Sequence, residues 1–298
     1  MRVLVSGSRG LIGSALVSSL RSGGHEVRRL VRGEATSDDV AWDPRGGTID
    51  GAALEGTEAV VHLAGEGIAA KRWSRAHKRE IRDSRVQGTR LLAEALARLD
   101  PTPGVLVSAS GINVYGSTRG EEALTEESAP GEGFLAGVCR EWEAATAPAA
   151  EAGIRVVTIR SGIVLSPSGG ALKKQLPLFK LGLGGNLGSG WQFTSWISVD
   201  DEVGAIEHAL ATPALRGPLN LTAPNPVRNA QFTKTLGRVL NRPTFLAVPR
   251  FALAVVLGRE MAAELLGSLR VLPARLEASG YAFRHPELEA ALRHLLGR

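Results

Sequence analysis

The chain of 298 residues has one cysteine, Cys139, so no disulfide can form within it. A lone thiol fits a reducing compartment, and the expected location is cytoplasmic. No run approaches the roughly eighteen uninterrupted apolar residues of a membrane span, and the most apolar segment, 251–257, is far too short. No secretory leader is expected, because the first residues run into a strand and a glycine loop rather than an apolar core. No Cys/His cluster has metal-ligand spacing, so no metal is expected. The net charge of +5 could suit nucleic acid, but the arginines are scattered without aromatic interleaving. They read as a solvated surface with a few anion-binding positions. The expected partner is therefore a small molecule, with neither nucleic acid nor membrane.

What the chain does have is concentrated at its start. Arg2-Val3-Leu4-Val5-Ser6 is a short apolar run of the kind that becomes a buried parallel strand. It leads into Gly7-Ser8-Arg9-Gly10-Leu11-Ile12-Gly13, and an amphipathic stretch from Leu11 to Leu20 follows. Strand, glycine turn and helix together set backbone N–H groups and a helix N-terminus against a pyrophosphate. Gly7 makes the tight turn, Gly10 admits the phosphate, and Gly13 lets the helix pack closely on the strand. The spacing is G-x-x-G-x-x-G rather than G-x-G-x-x-G. Residues Gly7 to Gly13 are the first candidate cofactor contacts, and the bland alternative is a glycine-rich turn without a ligand.

The second strand, Glu26 to Val31, ends in Arg32-Gly33, with Glu34 a little later. An acid at the strand end would bond both ribose hydroxyls of NAD and repel a 2′-phosphate. Arg32, with Arg9 in the glycine turn, can instead hold a phosphate dianion through charge-assisted hydrogen bonds. This predicts NADP(H) over NAD(H).

Further along, Trp42 to Gly47 reads as a turn-rich passage, with a short strand near Thr48-Ile49-Asp50 and a helical turn at 53–56. Residues 59–65 read as a strand ending in Leu63-Ala64-Gly65, small enough for the adenosine side of a dinucleotide to cross. His62 within it is expected in the core. A helix is expected over 76–99, closed by Pro101 and Pro103. Strands follow at 105–110, 155–160 and 218–221. Ser108, Ser110 and Tyr115 would face the crevice at the strand ends, and Ser108 and Arg160 complete the candidate cofactor set. Residues 121–133 read as a loop, and helices are expected over 134–150, 203–210 (capped by Asp200 or Asp201), 229–240, 251–269 and 286–296. The glycine-rich stretch 182–190 with Trp191 and Trp196 suggests a flap over a cleft. The fold class is α/β: a doubly wound, parallel-sheet Rossmann domain over 1–165 plus about 191–225. A smaller, mainly helical substrate domain would take 166–190 and 226–298.

The glycine turn, Val61-His62-Leu63-Ala64-Gly65, and Ser108-Ala109-Ser110 followed by Val114-Tyr115-Gly116 together resemble the extended short-chain dehydrogenase/reductases, the NAD(P)-dependent epimerases and dehydratases. Arg72-Trp73, Ser84-Arg85-Val86, Trp142-Glu143, Ser195-Trp196-Ile197 and Gly280-Tyr281-Ala282-Phe283 resemble an atypical subgroup, the epimerase family proteins, over essentially the whole chain. The resemblance implies a Tyr-x-x-x-Lys pair, in which the lysine lowers the tyrosine pKa for proton transfer. Counting back from Glu143 puts Leu135 and Cys139 at those positions, and neither can do that work. Ser110 and Tyr115 are the remaining catalytic candidates. The expected function is an NADP(H)-dependent oxidoreductase acting on an unidentified small carbonyl-type substrate. A non-catalytic NADPH sensor or scaffold is the alternative, and a sugar-nucleotide epimerase ranks last. Related enzymes often pair through two helices, so a homodimer is one expected assembly.

Overall fold

The computed structural model describes residues 1–298 except Glu34, Ser37 and Asp38, so the expectation for Glu34 lies outside the described residues. The chain divides into two compact units. The first holds Met1–Gly111, Gly137–Arg160 and Val203–Leu219, and the second holds Ile112–Ala136, Ser161–Glu202 and Asn220–Arg298. Residues 112–136, 161–165, 191–202 and 220–225, expected in the dinucleotide-binding domain, group with the second unit.

The first unit carries an eight-stranded sheet built from β1 (Arg2–Ser6), β2 (Glu26–Val31), β3 (Asp39–Asp43), β4 (Thr48–Ile49), β5 (Ala59–His62), β6 (Val105–Gly111), β7 (Arg155–Ser161) and β8 (Gly217–Leu221). Their order is β8-β7-β6-β5-β1-β2-β3-β4. β1 pairs in parallel with β2 on one side and β5 on the other, so Ser6 sits opposite both Leu30 and His62. The chain thus reverses its direction of travel across the sheet beside β1. In open α/β sheets that reversal opens a crevice at the strands' carboxyl ends. Val3, Val5, Val60, Val61 and Val107 are all buried, as a parallel strand covered on both faces requires.

Helix α1 (Leu11–Ser22) follows the glycine turn, and α2 (Arg75–Leu96) starts where the Ser74 hydroxyl accepts the His77 N–H. Only the start of the passage read as turns belongs to β3, in which Val40 and Trp42 alternate inward; residues 44–47 form the turn to its antiparallel partner β4. The helix expected over 134–150 is two, α3 (Phe134–Ala144) and Ala147–Glu151, the second starting with Pro148 in its first turn.

The second unit mixes helices with four two-stranded ladders. Its core joins Leu172, Leu176, Phe179, Trp196, Leu236 and Leu292. Part of the expected 121–133 loop is a strand, Thr118–Leu124, paired in parallel with Ser268–Val271. The helix expected over 251–269 breaks at Gly258, whose φ of +89° suits glycine, into Arg250–Leu257 and Arg259–Leu265. Helix α4 runs Val199–Ala211, and its N-terminal cap is Ser198, whose hydroxyl accepts the Asp201 N–H at 3.0 Å. Neither Asp200 nor Asp201 caps it, because both lie inside its first turn. Among the described residues no helix is long and apolar enough to cross a membrane.

Candidate functional site

A cleft of about 1020 Å³ opens in the first unit at the end of β1. Gly7, Ser8, Arg9 and Gly10 form one wall, Arg32 and Gly33 a second, and Leu63, Ala64 and Gly65 a third. The glycines are there for space. Gly7 has φ +66°, and a Cβ on it would lie 2.8 Å from the Leu63 carbonyl carbon. A Cβ on Gly13 would lie 2.2 Å from the Gly7 oxygen. Helix α1 begins at Gly10 with no side-chain cap and no acid in its first turn. Its first N–H groups therefore keep the partial positive charge and donor capacity that an anion fills.

The exposed guanidinium side chains of Arg9, Arg32, Arg45 and Arg79 line this cleft, together with the acids Glu66, Glu80 and Asp83. Arg45, in the turn between β3 and β4, was not singled out because nothing local to that turn points it at the glycine wall. Glu80 is held below the usual carboxylate range by hydrogen bonds from His77 and Lys71. Leu11, Ile12 and Gly13 stand in the first turn of α1, behind the glycine wall.

The third wall is held from beneath. The Ser6 hydroxyl accepts the N–H groups of Leu63 and Ala64 at 3.0 and 3.2 Å. The same hydroxyl is 2.7 Å from His62 Nδ1, and His62 Nε2 is 2.9 Å from the Thr89 hydroxyl. Trp142 Nε1 donates to that hydroxyl at 2.8 Å. With two backbone donors already on Ser6, its proton points to Nδ1, which leaves Nε2 as the protonated nitrogen of a neutral ring. Burial pushes the His62 pKa down to about 4. His62 is thus the packed core residue that the sequence suggested, and it also fixes the carboxyl end of β5.

Ser110, at the end of β6, donates its hydroxyl to Glu143 Oε1 at 2.7 Å. Arg160 on β7 grips the same carboxylate with two hydrogen bonds, Nε to Oε1 and Nη2 to Oε2, each 2.8 Å. Arg160 is buried against Glu143 and is not among the cleft-lining residues, so the geometry does not bring it to a cofactor. The Ser108 hydroxyl is buried without a hydrogen-bond partner and is likewise not in the lining. Tyr115 is fully buried and donates its hydroxyl to Asn220 Oδ1 at 2.7 Å, which makes it packing rather than an exposed phenol.

One buried acid escaped the sequence reading. Glu202, in the first turn of α4, accepts the Ser161 hydroxyl at 2.5 Å on one oxygen, and the other oxygen has no partner. Burial pushes its pKa up to about 8.

Comparison with known proteins identifies the lineage. The family model described as NAD dependent epimerase/dehydratase family matches residues 3–220, and a domain of unknown function, DUF1731, matches 248–295. The chain belongs to the NAD dependent epimerase/dehydratase family. An epimerase family protein of Mycobacterium tuberculosis is 46% identical over 291 residues, covering 97% of this chain and 96% of that one. The crystal structure of human epimerase family protein SDR39U1 with NADPH superposes with a TM-score of 0.92 at 37% identity, covering 100% of this chain and 99% of that one. A nucleoside-diphosphate sugar epimerase of Corynebacterium glutamicum gives a TM-score of 0.82 at 42% identity, covering 100% of this chain and 58% of that one.

Within the epimerase/dehydratase family this chain is marked by what α3 carries. Leu135 and Cys139, one helical turn apart, are both buried. Desolvation raises the Cys139 thiol to about 11, so it is neither a nucleophile nor an acid near neutral pH. At the end of β6, the Ser110 hydroxyl is committed to Glu143.

Proposed function

We propose that the chain binds NADP(H) in the first-unit cleft and acts as an oxidoreductase on a small carbonyl-type substrate. The single observation that carries this is the cleft itself: an uncapped helix N-terminus behind a glycine wall, with Arg9 and Arg32 among the residues that line it. These residues fit the group in both shape and charge. The α1 N-terminus would take the pyrophosphate, Leu63 to Gly65 would lie against the adenosine side, and Arg9 and Arg32 would meet a 2′-phosphate. A human relative, 37% identical, was crystallised with NADPH. When bound, the nicotinamide supplies the hydride. The chain's own residues bind and orient. The buried Leu135, Cys139 and Tyr115 leave protonation to water or to the substrate.

A second reading has its own support. Leu135 and Cys139, at the positions that the resemblance gives to the proton-transfer pair, cannot move a proton near neutral pH, which suits an NADPH sensor or scaffold without turnover. Fluorescence titration with NADPH and NADH in parallel tests the shared part, and at least tenfold tighter NADPH binding, about 1.4 kcal/mol, is expected. Incubating the loaded protein with a panel of aldehydes and ketones then separates the readings. Loss of nicotinamide absorbance supports the oxidoreductase, and unchanged absorbance with every carbonyl supports the sensor. Failure to bind either nucleotide overturns both.

A further inference from the structure

The second unit gathers three metal-binding side chains that its sequence scatters: Asp200 in the first turn of α4, His285 in the turn before the last helix, and His294 in the last turn of that helix, α5 (Leu288–Leu296). One ligand atom from each lies within 4.8 Å of the other two. His294 Nε2 is 3.0 Å from Asp200 Oδ2, and His285 Nε2 is 3.9 Å from the same oxygen, beyond hydrogen-bond reach. The two imidazoles stack with centroids 4.3 Å apart and planes 26° apart. One carboxylate oxygen therefore faces two imidazole nitrogens and bonds directly to only one.

We propose that Asp200, His285 and His294 form a site for a divalent transition-metal ion of borderline softness, of which zinc is the type. Two imidazoles and one carboxylate suit zinc, nickel, copper or cobalt, whereas magnesium and calcium prefer all-oxygen shells. Three protein ligands leave a fourth tetrahedral position for water. The frame exists before any ion arrives. Asp201, fully buried beside Asp200, accepts the N–H groups of Arg284 at 2.7 Å and His285 at 3.0 Å. It also accepts the hydroxyls of Ser198 at 2.8 Å and Tyr281 at 3.2 Å. These bonds tie the turn that carries His285 to the helix start that carries Asp200. Stacked rings hold their in-plane lone pairs nearly parallel, so one ring must turn for both to meet one ion. His294, with 55% of its side chain exposed, is free to turn. Its Nε2 then trades the hydrogen bond to Asp200 for the metal, and the ring proton moves to Nδ1. The pattern is invisible in sequence because the histidines are nine positions apart and the aspartate comes from a distant helix.

The test is zinc titration of the tag-free full chain by calorimetry, alongside His285→Gln, His294→Gln and their double variant. The wild type is expected to take up one zinc equivalent that the double variant does not, with each single variant at least a hundredfold weaker. Cobalt is expected to give the visible d–d bands of a four-coordinate site in the wild type and not in the double variant. Zinc is expected to raise the Tm of the wild type more than that of His294→Gln, as binding linkage requires. His294 is half exposed, so its loss leaves folding intact. Glu66, His77 and Glu80 form another close cluster in the first unit, which is why the difference between proteins, not total uptake, is the readout. Equal zinc uptake by wild type and double variant, or no uptake by the wild type, overturns the proposal.

Discussion

Two serine–glutamate pairs, one in each unit, show how a neighbouring cation decides what an acid withdrawn from bulk solvent does, Glu143 being half-buried and Glu202 fully buried. Ser110 donates to Glu143, and Ser161 donates to Glu202; both serines end strands and both glutamates sit on helices. In the first unit the Arg160 guanidinium closes on Glu143 with two hydrogen bonds, so both carboxylate oxygens are satisfied and charge is balanced. In the second unit Glu202 has no such partner, one of its oxygens is bare, and burial alone raises its pKa to about 8. The first pair is a fixed strut. The second is a carboxyl group that stays protonated well past the usual range and titrates near neutrality.

Removing the cation should break the contrast. Arg160→Leu leaves Glu143 with its charge unpaired, and unpaired buried charges cost about 3–5 kcal/mol. Urea unfolding is expected to read a loss of that size. The double variant Arg160→Leu/Glu143→Leu is expected to recover most of it, because no charge is then stranded. A cost under about 1 kcal/mol for Arg160→Leu would mean that the strut carries little.

Glu202 provides the next test. Its folded pKa is raised, so its contribution is complete below the unfolded value of 4.5 and is lost as pH climbs through about 8. Between pH 4.5 and 7 that amounts to about 3 kcal/mol, at 1.36 kcal/mol per unit. Glu202→Gln cannot ionise, so the stability of the wild type relative to this variant is expected to fall by that amount across the window. Parallel slopes in the two proteins would show that Glu202 does not titrate as its burial requires.

The sequence disclosed these elements unevenly. Strand β1 and the glycine turn were legible because local chemistry dictates them: an apolar β-branched run, a residue forced to positive φ at Gly7, and a helix start without a Cβ at Gly13. A count along one helix put Leu135 and Cys139 at the positions that the resemblance gives to the proton-transfer pair, and both are buried. β3 was missed because Trp42-Asp43-Pro44 and two glycines look like turn, and only pairing with β2 and β4 makes Val40 and Trp42 a strand. The commitments of Ser110 to Glu143 and of Tyr115 to Asn220 were hidden, because a hydroxyl's partner is a tertiary fact. The second partner is 105 positions away. Asp200, His285 and His294 were hidden for the same reason.

His62 sharpens the contrast from the other side, as a buried base with both ring nitrogens partnered. Its folded pKa of about 4 lies below the ordinary histidine value of 6.5, so the fold prefers the neutral ring. That preference is fully expressed above pH 6.5 and is lost as pH falls toward 4. Between pH 6.5 and 5 it costs about 2 kcal/mol. In the wild type the opposing gain from Glu202 masks this, so the measurement belongs in Glu202→Gln. There, acidification from pH 6.5 to 5 is expected to lower stability by about that amount, and adding His62→Gln is expected to flatten the slope. A slope unchanged by His62→Gln would assign the acid sensitivity elsewhere.

The smallest effect concerns the exposed charge of the first unit, where solvent screens what burial amplifies at Glu143 and Glu202. Arg32 lines the cleft beside Gly33, and its guanidinium is solvated before any ligand arrives. Its contribution on meeting a 2′-phosphate is therefore the difference between two good environments. Arg32→Ala is expected to weaken NADPH binding about tenfold, 1.4 kcal/mol, and to leave NADH binding unchanged, because NADH has a hydroxyl where the phosphate would be. Raising the salt concentration should shrink the wild-type preference, since exposed pairs are screened within about 10 Å at 0.1 M. Equal weakening toward both nucleotides would move Arg32 from the 2′-phosphate to the shared part of the dinucleotide, and Arg9 would then be the residue to replace.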